Sequence, residues 1–177
     1  MQMLFTPSLL SGEQGYTFNA VLPTPQSHGH LELRSTDPTQ YPAIFANYLE
    51  KKNDLQRLVE TVKLARRLAS TKAFAPFGGV EVEPGPQVQS DQEIVAFIRQ
   101  RQSTMFHPVG TCKMGRDEMA VVDEELRVHG VHGLRVIDAS IMPTIVNGNT
   151  NAPAIMIAEK GADLISGNIH FTSATLL

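Results

Sequence analysis

Between residues 54 and 69 the apolar side chains recur at helical spacing: Leu55, Leu58, Val59, Val62, Ala65 and Leu68 share one face, with Lys63, Arg66 and Arg67 opposite. Intervals of three and four residues line up along one side of a 3.6-residue helix, so this segment is predicted to be a helix with a solvated basic face. Ser90 and Glu93 stand in capping-box register ahead of Ile94, Val95, Phe97 and Ile98, which predicts a second helix to about residue 101 with those four residues inward. Residues 16–22 and 30–33 read as strands around a Pro/Ser/Gly turn, the first following a loop that contains Gly12 and Gly15. Residues 76–89 hold three prolines and three glycines and read as loop. There is no internal repeat.

The last third follows another rhythm. Residues 134–137 form a short run with Val136 and Ile137 that ends in Asp138, Ala139 and Ser140, so a strand is predicted to stop there. The loop over residues 143–151 contains three asparagines and one glycine. Asn151 can cap a helix whose first turn includes Pro153, where the missing N–H costs nothing. That helix should run to about residue 165, with Gly167 just past its end. Its N-terminus turns free N–H groups toward the loop, which suits an anion or an electron-rich ligand edge. Asparagines also serve ordinary turns, so the pattern alone leaves a plain strand-loop-helix unit open.

Composition narrows the function classes. At 177 residues, 42% apolar and 19% charged, the chain can bury a core and is not of disordered composition. A net charge of −3 gives no reason to expect a nucleic acid partner. No apolar run reaches the roughly 18 residues that would span a bilayer, and the first residues lack a basic signal-peptide region. Cys112 is the only cysteine, which excludes an internal disulfide, fits a reducing compartment and reads as a small buried residue. His28 and His30, like His129 and His132, lack the further ligands of a zinc site, so no metal is expected. Ser140 lacks the flanking glycines of a nucleophile elbow.

Three segments carry a resemblance: HPVGTCKMG at 107–115, VVDEELRVHGVHGLRVIDAS at 121–140 and MPTIVNGNTNAPAIMIAEKGADLI at 142–165. In order and spacing they closely resemble the C-terminal region of the glucose-methanol-choline (GMC) oxidoreductases, most of all the choline dehydrogenase and aliphatic alcohol dehydrogenase branch. GHLELRSTDPTQYPAIFANYL at 29–49 is similar to the family's substrate-domain segment, in which a strand leads through a Ser-x-Asp-Pro turn to a short helix.

The resemblance implies an α+β, partial GMC fold: an antiparallel substrate-domain sheet with helices over residues 1–104, then residues 105–177 carrying the catalytic pair and completing an FAD-binding domain. It implies an FAD-dependent alcohol dehydrogenase that oxidises a primary alcohol to an aldehyde, with hydride passing to flavin N5. His107 would be the catalytic base, and Asn149 its companion. The chemistry suits both: hydride leaves an alcohol carbon more readily once the hydroxyl proton has gone to a base near neutrality, and an amide can then donate to the alkoxide. They lie 42 positions apart, so only folding can join them. By the same resemblance Asp138 and Ala139 would meet the ribityl and pyrophosphate region, and Asn149, Thr150, Asn151 and Ala152 the pyrimidine end of the isoalloxazine.

No G-x-G-x-x-G turn occurs in the chain, although a dinucleotide site normally starts with one. The expectation is therefore a C-terminal part that partners an N-terminal FAD domain and is colourless and inactive alone. Phe106 either walls the substrate pocket or belongs to the core, and a primary aliphatic alcohol is favoured over choline. The electron acceptor, oxygen or quinone, is left open; a homo-oligomer is allowed. A cytoplasmic protein is expected, with peripheral membrane association by family analogy. Two other classes stay open: an FAD-containing hydroxynitrile lyase, and a non-catalytic remnant or binding module.

Overall fold

A computed structural model describes residues 1–10 and 13–167 of the chain. The fold is α+β, mixing α-helices with small antiparallel sheets, and it divides into two compact units, residues 1–105 and residue 106 onward.

In the first unit β1 (Gln2–Leu10) and β2 (Glu13–Val21) form an antiparallel hairpin with Phe5 opposite Phe18. Alternation along β2 leaves Tyr16 and Phe18 half-buried and Thr17 and Asn19 exposed, as a strand with one covered face requires. Phe5, Tyr16, Phe18 and Phe74 cluster with ring centroids 5.3–6.0 Å apart. The strand expected at 16–22 thus starts earlier, and Gly15 lies within it rather than in a loop, because β1 supplies pairing partners along its whole length. β3 (His30–Glu32) pairs with β4 (Ala43–Phe45). The two strands flanking the Pro/Ser/Gly turn therefore belong to separate sheets. β4 also replaces the short helix that the resemblance implied: Pro42 lacks a donor and biases Tyr41 toward extended backbone, and Ile44 and Phe45 favour a strand.

The two helices of this unit form where the apolar spacing puts them. α1 (Lys52–Ala69) starts two residues before the predicted Asp54, and α2 (Asp91–Arg101) carries the full Ser90/Glu93 capping box. Val59, Ile94 and Ile98 make their shared core, flanked by Leu55, Leu58, Val62, Val95 and Phe97. Asp54 is fully buried at the start of α1, where its carboxylate accepts from the backbone N–H groups of Gln26 and Ser27 and from the Ser27 hydroxyl. A loop without regular pairing is thereby tied to a helix.

The second unit has little regular structure before α3 (Asn151–Ser166). Val122, Leu126, Ile141, Met142 and Ile157 form its core. The strand predicted at 134–137 shrinks to one bridge, Arg127 with Arg135, flanked by Val128 N–H donating to Leu134 and Val136 N–H to Leu126. A strand needs a neighbour of matching length, and residues 126–128 offer only a short one. Gly167, left-handed at φ 75°, ends α3 as the sequence predicts.

Candidate functional site

His107 sits on a loop pinned to a single turn of 3₁₀ helix, Ala139–Ile141. The N–H groups of Gly110 and Cys112 both donate to the Ser140 carbonyl, at 3.0 and 3.1 Å, and that of Met114 donates to Ile141 at 2.7 Å. Gly110 takes φ 91°, a conformation that glycine alone enters freely. Phe106 is left-handed too, at φ 60°, although it carries a bulky side chain that is 80% exposed. A residue held there immediately before a candidate base marks a constrained approach.

Asp138 fixes the turn from below. Its Oδ1 accepts from the Ser140 N–H at 2.7 Å, while the side chain remains exposed. The role is structural in the chain as it stands, and it leaves the exposed side of the carboxylate facing solvent.

After Met142 the chain loops into α3, and Thr150, not Asn151, holds the residue position before the helix. Thr150 Oγ1 shares a 2.9 Å hydrogen bond with His107 Nδ1, and its side chain does not cap the helix. Thr150 is 7% exposed, so its hydroxyl is committed to the ring. Asn151 is then the first helical residue, and the N–H groups of Asn151 and Ala152 have no intrahelical acceptor.

The structure therefore brings His107 to Thr150 across 43 positions. Asn149, adjacent in sequence, is exposed and makes no hydrogen bond to His107, while Asn151 and Ala152 are exposed and Ala139 is half-buried. The histidine–threonine contact is not legible in the sequence, because Thr150 looks like one more polar loop residue. Its only signal was its place between two asparagines at a helix start.

Two of the other histidines have local partners. His129 Nε2 bonds with the Gly115 carbonyl at 3.1 Å, and His30 stacks on Phe45 with centroids 4.6 Å apart. Cys112 is a half-buried free thiol. Among the described residues no three His, Cys, Asp or Glu side chains gather as a metal site requires, and no helix is long and apolar enough to cross a membrane.

Residues 25–158 match the family profile described as GMC oxidoreductase. The chain is 50% identical over 141 residues to an oxygen-dependent choline dehydrogenase from Proteus mirabilis, covering 80% of this chain and 25% of that protein. To its namesake from Cronobacter sakazakii it is 48% identical over 149 residues, covering 84% and 27%. Among solved structures, an FAD-dependent oxidoreductase from Chaetomium thermophilum superposes with a TM-score of 0.76 at 31% identity, over 82% of this chain and 25% of that one. Pyridoxine 4-oxidase from Mesorbium loti gives 0.76 at 30% identity, over 86% and 29%. The chain belongs to the GMC oxidoreductase family, a family of FAD flavoproteins. It spans about a quarter of the length of the curated relatives it matches.

Proposed function

We propose that the chain supplies the catalytic wall of an FAD-dependent alcohol dehydrogenase acting on a primary alcohol. The observation that carries this reading is the His107–Thr150 hydrogen bond, which sets the histidine of the HPVGT motif beside the start of α3. With Nδ1 engaged, Nε2 is the ring nitrogen left to take a substrate proton. His107 removes the hydroxyl proton. Asn149, exposed one residue before Thr150, donates its amide N–H to the alkoxide oxygen that results.

The residues present fit a flavin. The uncapped N–H groups of Asn151 and Ala152, with the exposed amides of Asn149 and Asn151, form a donor-rich edge suited to an electron-rich ring. Asp138 offers an exposed carboxylate as an acceptor for ribityl hydroxyls, beside Ala139. Bound FAD supplies the hydride acceptor. The chain itself carries no glycine-rich dinucleotide turn, so the activity is proposed for the chain joined to an N-terminal flavin-binding domain, with the chain alone colourless and inactive. Choline is the first substrate to assay, since the relatives named above are choline dehydrogenases, with an unbranched primary alcohol as comparator.

The test is a full-length chimera in which residues 25–158 replace the matching segment of the Proteus mirabilis relative. It should form aldehyde from choline or the comparator, and His107→Ala should abolish this with FAD still bound. Full turnover in His107→Ala, or aldehyde release from a cyanohydrin without flavin reduction, overturns the reading.

A further inference from the structure

We infer that Thr150 is the positioning residue that selects the tautomer of His107: its Oγ1 accepts from Nδ1–H, so that the free lone pair lies on Nε2. This rests on His107 being the base proposed above.

A threonine hydroxyl can either donate to a ring nitrogen or accept from one, and the 2.9 Å separation allows both. Continuity through the reaction separates them. If Oγ1 accepts, Nδ1 is protonated both before and after Nε2 takes the substrate proton, and the hydrogen bond persists in both states. If Oγ1 donates, the neutral ring carries its proton on Nε2 and has its lone pair on Nδ1, facing Thr150. The only site left for a further proton is then the nitrogen already bonded to threonine, and protonation destroys that bond. Only the first arrangement leaves Nε2, the nitrogen not bonded to Thr150, as the base.

Two features hold the ring there. Thr150 is buried at 7% exposure, where its hydroxyl has little access to water, and its backbone is locked by the first helical bond, Ala154 N–H to the Thr150 carbonyl at 3.0 Å. On the other side, the loop carrying His107 is tied to Ser140 and Ile141 by three backbone hydrogen bonds. Threonine is thus a fixed acceptor for a ring on a fixed loop.

The experiment has two arms. Long-range ¹H–¹⁵N correlation on the ¹⁵N-histidine-labelled chain reads the tautomer of His107 without FAD, in the unsubstituted protein and in Thr150→Val and Thr150→Ser. The values of kcat and KM are then measured separately for the same variants, and for His107→Ala, in the full-length chimera. The inference expects Nδ1–H in the unsubstituted chain and in Thr150→Ser, and a shift toward Nε2–H in Thr150→Val. It expects Thr150→Val to lower kcat by about tenfold, the rate equivalent of one lost hydrogen bond, with Thr150→Ser close to unsubstituted. An Nε2–H ring in the unsubstituted chain overturns it. So does an unchanged kcat in Thr150→Val, or a loss in Thr150→Ser as deep as in Thr150→Val. Activity that survives His107→Ala refutes the functional reading itself, whereas its loss together with an indifferent Thr150→Val refutes only the role of Thr150.

Discussion

Gly161 of α3 lies so close to Ile137 that a Cβ placed on it would meet Ile137 Cγ2 at 2.3 Å and Cδ1 at 2.9 Å. Ile137 immediately precedes Asp138 and the turn to which the His107 loop is pinned. The missing side chain lets the helix that begins beside the candidate base pack against the segment that supports it.

Gly161→Ala is therefore destabilising, against the usual helix preference. Alanine gains about 1 kcal/mol over glycine inside a helix, but overpacking costs about 1–3 kcal/mol, and Cγ2 is a branch near the backbone that has little room to swing away. Urea unfolding should show a lower midpoint for Gly161→Ala. Gly79→Ala, where no atom lies within 4 Å of the new carbon, should be close to neutral.

Asp54 makes the stability of the first unit depend on acid. Burial by itself would raise its carboxyl, but the N–H of Gln26, the hydroxyl and N–H of Ser27 and the charge of Arg57 together hold it below its ordinary value of 3.8. A folded-state value below the unfolded one means that the stabilisation is complete above about pH 4 and is lost as pH falls through the folded value. Asp54→Asn replaces one acceptor oxygen with a donor facing other donors, and should cost about 2–4 kcal/mol at pH 7. Urea unfolding of both proteins across pH 7 to pH 2 checks this: the gap between them should narrow toward the acid end, and a gap independent of pH would remove the carboxylate from the explanation.

Asn149 is predicted to act on the transition state rather than on folding. Its side chain is exposed and outside the core of the second unit, so Asn149→Ala should leave the unfolding midpoint unchanged. In the full-length chimera the same substitution should lower kcat by roughly 10²–10³-fold, the usual loss for a donor to a developing oxyanion. An unchanged kcat would mean that the amide does not face the alkoxide.

The parts of this fold that were legible in the sequence are those whose causes are local. α1 follows from the spacing of Leu55, Leu58, Val59 and Val62, and α2 from its capping box, because a helix satisfies its own backbone. Strands need partners, and there the reading failed in both directions. Thr6, Pro7 and Ser8 obscure β1, which forms because β2 pairs with it, whereas Val136 and Ile137 look strand-like yet find only a short neighbour. The burial of Asp54 was equally invisible, since an acidic residue at a helix start is ordinary on a surface.

At the site, the HPVGT histidine and the asparagine-rich helix start were readable because their residue types are chemically distinctive and match a family. The family resemblance implies only a contact of Thr150 with the cofactor. Its bond to His107 spans 43 positions and arises from two loops packing on one turn, which no local pattern encodes.

The most direct test of His107 as the base is the rate of anaerobic flavin reduction by choline in the full-length chimera, compared with His107→Ala across the pH range. Loss of the general base should slow reduction by about 10²–10⁴-fold near neutral pH and flatten its rise with pH, with FAD content unchanged. Reduction at the unsubstituted rate, with the same pH profile, would contradict the assignment.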